Sequence, residues 1–347
     1  MKVLVTGANG FLGRHVAAAL LRRGHAVRAL VRPAADVTAL EWDGRVDVFR
    51  ADLRTAGNLH EAFDGIDVLV HLAAAVGGDD DAQFASTVVG TERLLEAMAR
   101  SGATKRLVLA GSFAAYDWTR CHGTLDETCP LEGEGVTDPG RMYTRRDGYT
   151  GAKVWQERVT RRAAERHGWG LTVLRPGMLW GRGNADMTSV IGPAAGPLQL
   201  VYGLGRRLPL SHVENCADAF AAAAEDPRAA GRTFNLVDGH DVTAWRYAGI
   251  HRRSTGRRGV RVPVPYFIGL AVTHAATAVS RLLFGASGRL PGVLVPARFQ
   301  PRFKPLRFSN SLISGELGWQ PPLDFGECCS RTFPQFTSLS GRESTRR

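Results

Sequence analysis

Along the first half of the chain, short apolar runs alternate with amphipathic ones. Lys2 to Thr6 is an apolar, β-branched run of strand length. Arg14 to Arg23 supplies helix formers, and Gly24 ends them. Further strands are read at Ala26–Val31, Val46–Arg50, Ile66–Leu72, Arg106–Ala110 and Leu171–Leu174. Between them, Leu59–Phe63 reads as a short helix and Gly151–Arg166 as a longer one. Ala82–Arg100 reads as a helix with Phe84, Val88, Leu94, Leu95 and Met98 on one face. This rhythm predicts an α/β fold, a Rossmann-type doubly wound parallel sheet. Right-handed crossovers would then line the strands' carboxyl ends along one crevice.

From Tyr116 to Asp147 the chain turns polar and glycine-rich without a clear period, as a lid or binding loop would. Beyond Gly181 proline and glycine rise, and the βα rhythm survives only in patches such as Thr233–Val237. The expected organisation is a dinucleotide-binding domain over 1–180, to which later segments return, and a smaller, partly interleaved substrate-binding region over 181–337. A flexible polar tail over 338–347 would follow. Pro265–Phe284 is the most apolar helix candidate, but His274 and Arg281 interrupt it. We read it first as a packed core helix rather than a membrane span. The alternative is an interfacial helix beside the basic cluster 251–261, a peripheral membrane contact.

Composition narrows the picture modestly. With 347 residues, 44% of them hydrophobic, there is material for a large core. The five cysteines are odd in number and scattered, which argues against a disulfide framework or a metal site. With strand residues beginning at once and no signal peptide, this suggests a reducing, cytoplasmic setting. The net charge of +11 suits a basic surface that binds a polyanionic cofactor. An anionic membrane or a phosphorylated substrate would also suit it. Nucleic acid is disfavoured as a partner, because the cluster 251–261 has no interleaved aromatic platform.

The chemistry starts at Gly7-Ala-Asn9-Gly10-Phe11-Leu12-Gly13, between the first strand and the first helix. Missing side chains let the backbone approach a pyrophosphate, and the helix start offers free N–H groups. At the end of the second strand, where an acid would hold a ribose, the chain has Arg32. An arginine there suits a 2′-phosphate, so NADP(H) is expected over NAD(H), with Arg14 near enough to help. Asp52, after the third strand, is positioned to accept from the adenine amino group, or merely to cap the next turn. Tyr149 and Lys153 stand four apart at a helix start, on one face. A neighbouring ammonium would favour the tyrosinate and bring the phenol toward a working range. Ser112, just past the fifth strand, would hydrogen-bond the reacting oxygen.

These motifs, in this order, resemble the extended short-chain dehydrogenase/reductase family, which also holds nucleotide-sugar epimerases. The resemblance runs from Met1 to about Leu323. It rests on Thr6–Gly13, Ala51-Asp-Leu53, His71-Leu-Ala-Ala74, Gly90-Thr91, Leu109–Ser112, Tyr149–Lys153 with Glu157, Leu174-Arg-Pro176 and His212–Asn215. Thr233-Phe-Asn235 and Leu317-Gly-Trp319 follow late in the chain. It implies that Ser112, Tyr149 and Lys153 form a catalytic triad. By the same resemblance Gly7, Asn9, Gly10, Phe11, Leu12, Arg32, Asp52, Leu53, Leu72, Ala73 and Ala74 hold the cofactor with Tyr149 and Lys153, and Pro176 approaches the nicotinamide carboxamide. A homodimer formed through helices like 82–100 and 149–166 is also implied.

Departures from the pattern narrow the activity. Thr87 stands where the family's helix motif carries asparagine, and Phe113-Ala114 replaces the Asp-Glu pair of sugar-nucleotide dehydratases. Where many uridine-diphosphate-sugar epimerases read Arg-Tyr-Phe-Asn, this chain reads Arg175-Pro-Gly-Met178. The Val27–Arg32 strand and Arg175-Pro176 are more like the 3β-hydroxysteroid dehydrogenase and dihydroflavonol reductase branches. The expectation is therefore an oxidoreductase that interconverts a secondary alcohol and a ketone on an apolar substrate. A nucleotide-sugar epimerase or ketoreductase is the alternative, and a catalytically silent nucleotide sensor a third reading.

Overall fold

The computed structural model describes residues 1–75, 77–138, 147–256, 259–284 and 290–333. The polar tail over 338–347 and part of the loop before Asp147 lie outside them. Seven strands, β1 (Lys2–Thr6), β2 (Ala26–Val31), β3 (Asp47–Arg50), β4 (Val68–His71), β5 (Arg106–Ala110), β6 (Gly170–Pro176) and β7 (Thr233–Leu236), form one sheet. Its order is β7-β6-β5-β4-β1-β2-β3, and every neighbouring pair is parallel. This is the doubly wound Rossmann-like sheet that the alternating pattern predicts. All strand carboxyl ends consequently share one edge.

The helices of this half are α1 (Phe11–Arg22), α2 (Asp80–Phe84), α3 (Gly90–Ser101), α4 (Gly148–His167) and α5 (Val213–Glu225). A parallel sheet is covered on both faces, so its strands are apolar almost throughout. The period of two sorts them: Val3 and Val5 pack on one face with Val16 and Leu20 of α1 and Phe220 of α5. Leu4, Leu69 and Leu107 pack on the other, under Phe63, Leu94 and Met98. Outside the core, Arg23 at the end of α1 pairs with Asp218 and Glu225 of α5 at 2.7 and 2.5 Å.

Two element boundaries differ from the sequence reading in ways that shape the site. Instead of one regular helix over 82–100, α2 and α3 are joined by a π-helical turn, Ala85–Val89. Gly90 at its end lies against Leu53, where an added Cβ would sit 3.2 Å from the Leu53 Cβ. Helix α4 begins three residues earlier than expected. The Asp147 carboxylate caps it, accepting from the Thr150 amide at 2.8 Å, and this sets Tyr149 in the first turn.

The second half holds a small sheet of the strands Val260–Val264, Leu198–Tyr202 and Ala194–Ala195. Helix α6 (Ala244–Thr255) lies beside it, and the buried Trp180 and Tyr247 belong to a separate core there. Helices α7 (Tyr266–Phe284) and α8 (Pro296–Phe303) follow. The reading of the apolar 265–284 stretch as a packed core helix is overturned. On α7 only Gly269, Thr273 and Ser280 are buried, while Phe267 is 70% and Leu282 85% exposed. The reason is steric. Its small residues face inward, where a Cβ on Gly269 would lie 2.5 Å from Phe299 and Tyr202. By length and composition α7 is also apolar enough to cross a membrane, despite His274 and Arg281.

Candidate active site

Because the sheet is wholly parallel, each residue that follows a strand reaches the same edge. Gly7, Asn9 and Gly10 follow β1; Phe11 and Leu12 open α1; Arg32 follows β2; Asp52 and Leu53 follow β3. Leu72, Ala73 and Ala74 come after β4, Ser112 after β5, and Pro176 closes β6. Tyr149 and Lys153 reach this edge from α4.

The glycine turn is built for close approach. Gly7 has φ +67°, and a Cβ there would lie 3.1 Å from the backbone of Ala73. A Cβ on Gly13 would lie 2.0 Å from the Gly7 carbonyl oxygen, so α1 could not pack against the turn with any side chain there. Gly10 caps α1 without a side-chain hydrogen bond, and the first turn holds no acidic residue. The leading N–H groups of this twelve-residue helix are thus met by no side-chain cap and no acid, as a dinucleotide phosphate requires. The residues present fit a nicotinamide dinucleotide.

The acid after β3 is bonded to its own turn. Asp52 accepts from the Arg54 side chain at 2.7 Å and from the Arg54 amide at 2.9 Å. These bonds hold its carboxyl down at about 2. It caps its own turn. Arg32 is exposed at the end of β2.

Ser112 caps the 3-10 turn Phe113–Ala115, its Oγ accepting from the Ala114 amide at 3.1 Å. Its hydroxyl lies beside the Tyr149 phenol and acts to lower the phenol's titration. Two hydroxyls far apart in the sequence thus meet, because β5 ends opposite the first turn of α4. Gly111 makes the room: a Cβ there would lie 2.8 Å from the Arg175 Cγ. Lys153 is buried one turn further along α4, and its Nζ donates to the Ala110 carbonyl at 2.5 Å and to Gln156 Oε1 at 2.6 Å.

Burial dominates the electrostatics of this pair. Burial pushes the Tyr149 phenol up, only partly offset by the Ser112 hydroxyl. The Asp147 carboxylate adds to the rise of the phenol, and burial is also the largest influence on the lysine. Its ammonium is brought down to about 8, with Glu157 opposing the shift.

A polar chain not anticipated from the sequence runs from the glycine turn to this lysine. Thr6 Oγ1 lies 2.6 Å from His71 Nδ1, and His71 Nε2 lies 2.7 Å from Thr91 Oγ1. Gln156 Nε2 donates to Thr91 Oγ1 at 2.9 Å, and its Oε1 accepts from Lys153. Burial, reinforced by the Lys153 charge, brings His71 down to about 3, so it is neutral. Gln156 stands three positions after Lys153 on one helix face, the spacing that would have singled it out. Thr87, in place of the family's asparagine, accepts from the Ala75 amide at 3.0 Å and fixes the strand-end loop.

Beneath the site Arg175 pairs with Glu157 through two hydrogen bonds, at 2.5 and 3.1 Å, and donates to the Tyr116 hydroxyl at 3.0 Å. Burial pushes the Glu157 carboxyl up, but Arg175 and Arg161 outweigh it and hold it below its ordinary value. A separate cavity of about 330 Å³ lies in the second half, lined by Pro197, Leu198, Gln199, His251 and Arg252 among others. None of its lining residues belongs to the strand-end crevice.

Residues 3–236 match the NAD dependent epimerase/dehydratase family. The chain belongs to that family. Its members use a nicotinamide dinucleotide, and this chain is an enzyme of the extended short-chain dehydrogenase/reductase type. It is 29% identical over 356 residues to a 3 beta-hydroxysteroid dehydrogenase/Delta 5-->4-isomerase of Mycobacterium tuberculosis, covering 97% of this chain and 91% of that protein. It is 25% identical to 3beta-hydroxysteroid-dehydrogenase/decarboxylase isoform 2 of Arabidopsis thaliana, covering 99% of this chain but only 63% of that protein's length. Among solved structures, UDP-glucose 4-epimerase of Thermus thermophilus in complex with NAD shares the fold. Its TM-score is 0.67 at 21% identity, over 97% of this chain and 99% of that one.

Proposed function

We propose that this family member is an NADP(H)-dependent oxidoreductase that interconverts a secondary alcohol and a ketone, with Ser112, Tyr149 and Lys153 as its catalytic residues. The observation that carries the proposal is the approach of the Ser112 hydroxyl, at the end of β5, to the Tyr149 phenol in the first turn of α4, with Lys153 one turn further along the same helix. A nicotinamide dinucleotide held at the glycine turn after β1 would supply hydride to, or accept it from, the carbon that bears the oxygen. In the reducing direction Ser112 orients the carbonyl oxygen and Tyr149 gives it the proton, while the Lys153 charge tunes the tyrosine. A phenol pushed up by burial is a poor base but keeps its proton, which suits it to protonate a ketone at neutral pH.

The 3β-hydroxysteroid dehydrogenases among the relatives, and the absence of the dehydratase acids at Phe113 and Ala114, support an apolar ketone or alcohol as substrate. Phe113 is buried against Tyr116 and carries no group to expel water. Arg32 beyond β2 supports NADP(H) over NAD(H), with Arg14 of α1 as its helper. A homodimer working in the cytoplasm completes the reading. A nucleotide-sugar epimerase is the second reading, because a solved structure that shares the fold is one.

The test is purified protein with NADPH and NADH against ketosteroids, flavonoid-like ketones, aldehydes and nucleotide sugars. Net NADPH oxidation with an apolar ketone, lowered about 100-fold or more by Tyr149→Phe, is expected. Sugar interconversion without net oxidation would instead establish the epimerase. Arg32→Ser should cut the NADPH-over-NADH preference about tenfold or more, the loss of one charge-assisted contact. An unchanged ratio would refute the cofactor assignment.

A further inference from the structure

Helix α7 inverts the usual arrangement of a surface helix. The face it turns to the protein is Gly269, Thr273 and Ser280, with Ala276 and Thr277 half-buried beside them. The threonine hydroxyls bond back to the helix itself, Thr273 to the Leu270 carbonyl and Thr277 to the Thr273 carbonyl, so this face needs no outside partner. The face it turns outward carries Phe267, Ile268, Val272, Val279, Leu282 and Leu283, all between 46% and 85% exposed. Together with Phe284 they are seven of the twelve large apolar side chains exposed among the described residues. Patches of this kind mark interaction surfaces.

The charge of the segment that carries α7 identifies what it meets. From Val242 to Gly315 the sequence has no aspartate or glutamate and twelve arginines and lysines. That segment's charge of +12 exceeds the +11 of the whole chain, so the remaining residues come to −1. The entire excess of positive charge therefore lies in the stretch that carries the exposed apolar helix. Arg246, Arg252 and Arg253 are on α6, Arg281 is on α7 itself, and Arg302 is on α8. A second copy of this chain would bring a second +12 against the first. An anionic lipid surface brings the opposite charge and an apolar interior together.

We propose that α7 is a membrane-docking helix that lies flat in the surface of an anionic bilayer, with its outward face among the acyl chains and its own Arg281, together with Arg302 of the adjoining α8, at the headgroups. It lies flat rather than spanning, because its inner face is committed to the protein. Tyr266 stacks on Phe299 with ring centroids 5.8 Å apart, and the Gly269 backbone leaves no clearance from Phe299 and Tyr202. The proposal is independent of the active-site reading. Its failure would leave Ser112 and Tyr149 as they are.

The test is co-sedimentation of the full chain with vesicles of phosphatidylcholine alone or mixed with phosphatidylglycerol. Binding to the anionic vesicles should exceed binding to the neutral ones by about tenfold or more. It should weaken as salt rises from about 0.1 M to about 0.5 M. Leu282→Asp with Leu283→Asp should reduce it about tenfold or more, with unchanged circular dichroism and thermal unfolding because both side chains are exposed. Arg281→Glu should lower binding to anionic vesicles and leave the weak neutral binding as it was. Equal binding to both vesicle types, or none to either, overturns the proposal. So does light scattering that shows a dimer split by the leucine pair while vesicles recruit nothing.

Discussion

Replacing Lys153 by methionine tests the buried ammonium without any knowledge of the substrate. The side chain is 4% exposed, so solvent screening takes little away. Burial lowers its titration from the ordinary 10.5 to about 8. Below pH 8 both the folded and the unfolded chain carry the charge, and the burial penalty is fully present. Between pH 8 and 10.5 the unfolded chain still holds the proton and the folded chain does not, so stability must rise with pH. Above 10.5 the gain levels off. The size is the distance between the two values at about 1.4 kcal/mol per pH unit, or about 3 kcal/mol. Urea unfolding of the wild type and of Lys153→Met at stepped pH, both in a Tyr149→Phe background so that the phenol does not titrate, isolates it. The wild type should gain about 3 kcal/mol on the methionine variant across that window. A flat difference, or a loss in that window, would show that the lysine is not desolvated as the geometry requires.

Glu157→Gln should cost about 3–5 kcal/mol in chemical unfolding, because it leaves the Arg175 guanidinium, 3% exposed, buried without its countercharge. A cost under about 1 kcal/mol would mean that water reaches the pair. Gly13→Ala should cost about 2–3 kcal/mol and abolish saturable NADPH binding in a fluorescence titration. Its Cβ would meet the Gly7 carbonyl at 2.0 Å, and only a shift of α1 off the turn relieves it. Nitrogen chemical shifts should show His71 as the neutral Nε2–H form from about pH 5 upward, since its titration lies near 3. A protonated Nδ1 would refute the bond directions argued below.

The sheet was legible because each of its first six strands is an apolar run bounded by turn residues, and β7 shows the same signature late in the chain. Residues near strand ends were legible for the same reason: topology carries Ser112 and Gly7 to one edge once the strands are known. The start of α4 is hidden because Gly148 and Tyr149 are poor helix formers, and the Asp147 cap overrides that preference. The π turn at Ala85–Val89 has no periodic signal of its own. Helix α7 misleads because the period identifies two faces but not which one turns inward. The large apolar residues are expected inside, whereas the crowding of Gly269 against Phe299 admits only the small ones. Nor could the sequence show that Arg54 would bond the Asp52 carboxylate.

The direction of the buried hydrogen bonds explains why the polar chain had to be seen in three dimensions. Thr6 Oγ1 accepts from the Leu72 and Ala73 amides, at 3.2 and 3.3 Å, so its own proton is left to donate to His71 Nδ1. That forces the His71 proton onto Nε2, which donates to Thr91 Oγ1. Thr91 in turn donates to the Thr87 carbonyl, which leaves its oxygen to accept from Gln156 Nε2 as well. With the Gln156 amide nitrogen fixed on that side, its oxygen must face Lys153, where an ammonium is the matching donor. The 3.2 Å approach of Gln156 Nε2 to His71 Nε2 is then a contact between two donors, not a bond. Two backbone amides beside the glycine turn thus determine which atom is presented to the lysine, across residues spread from Thr6 to Gln156. Each link is an ordinary buried Thr, His or Gln, and only the register that sets Thr6 beside His71 makes them one path.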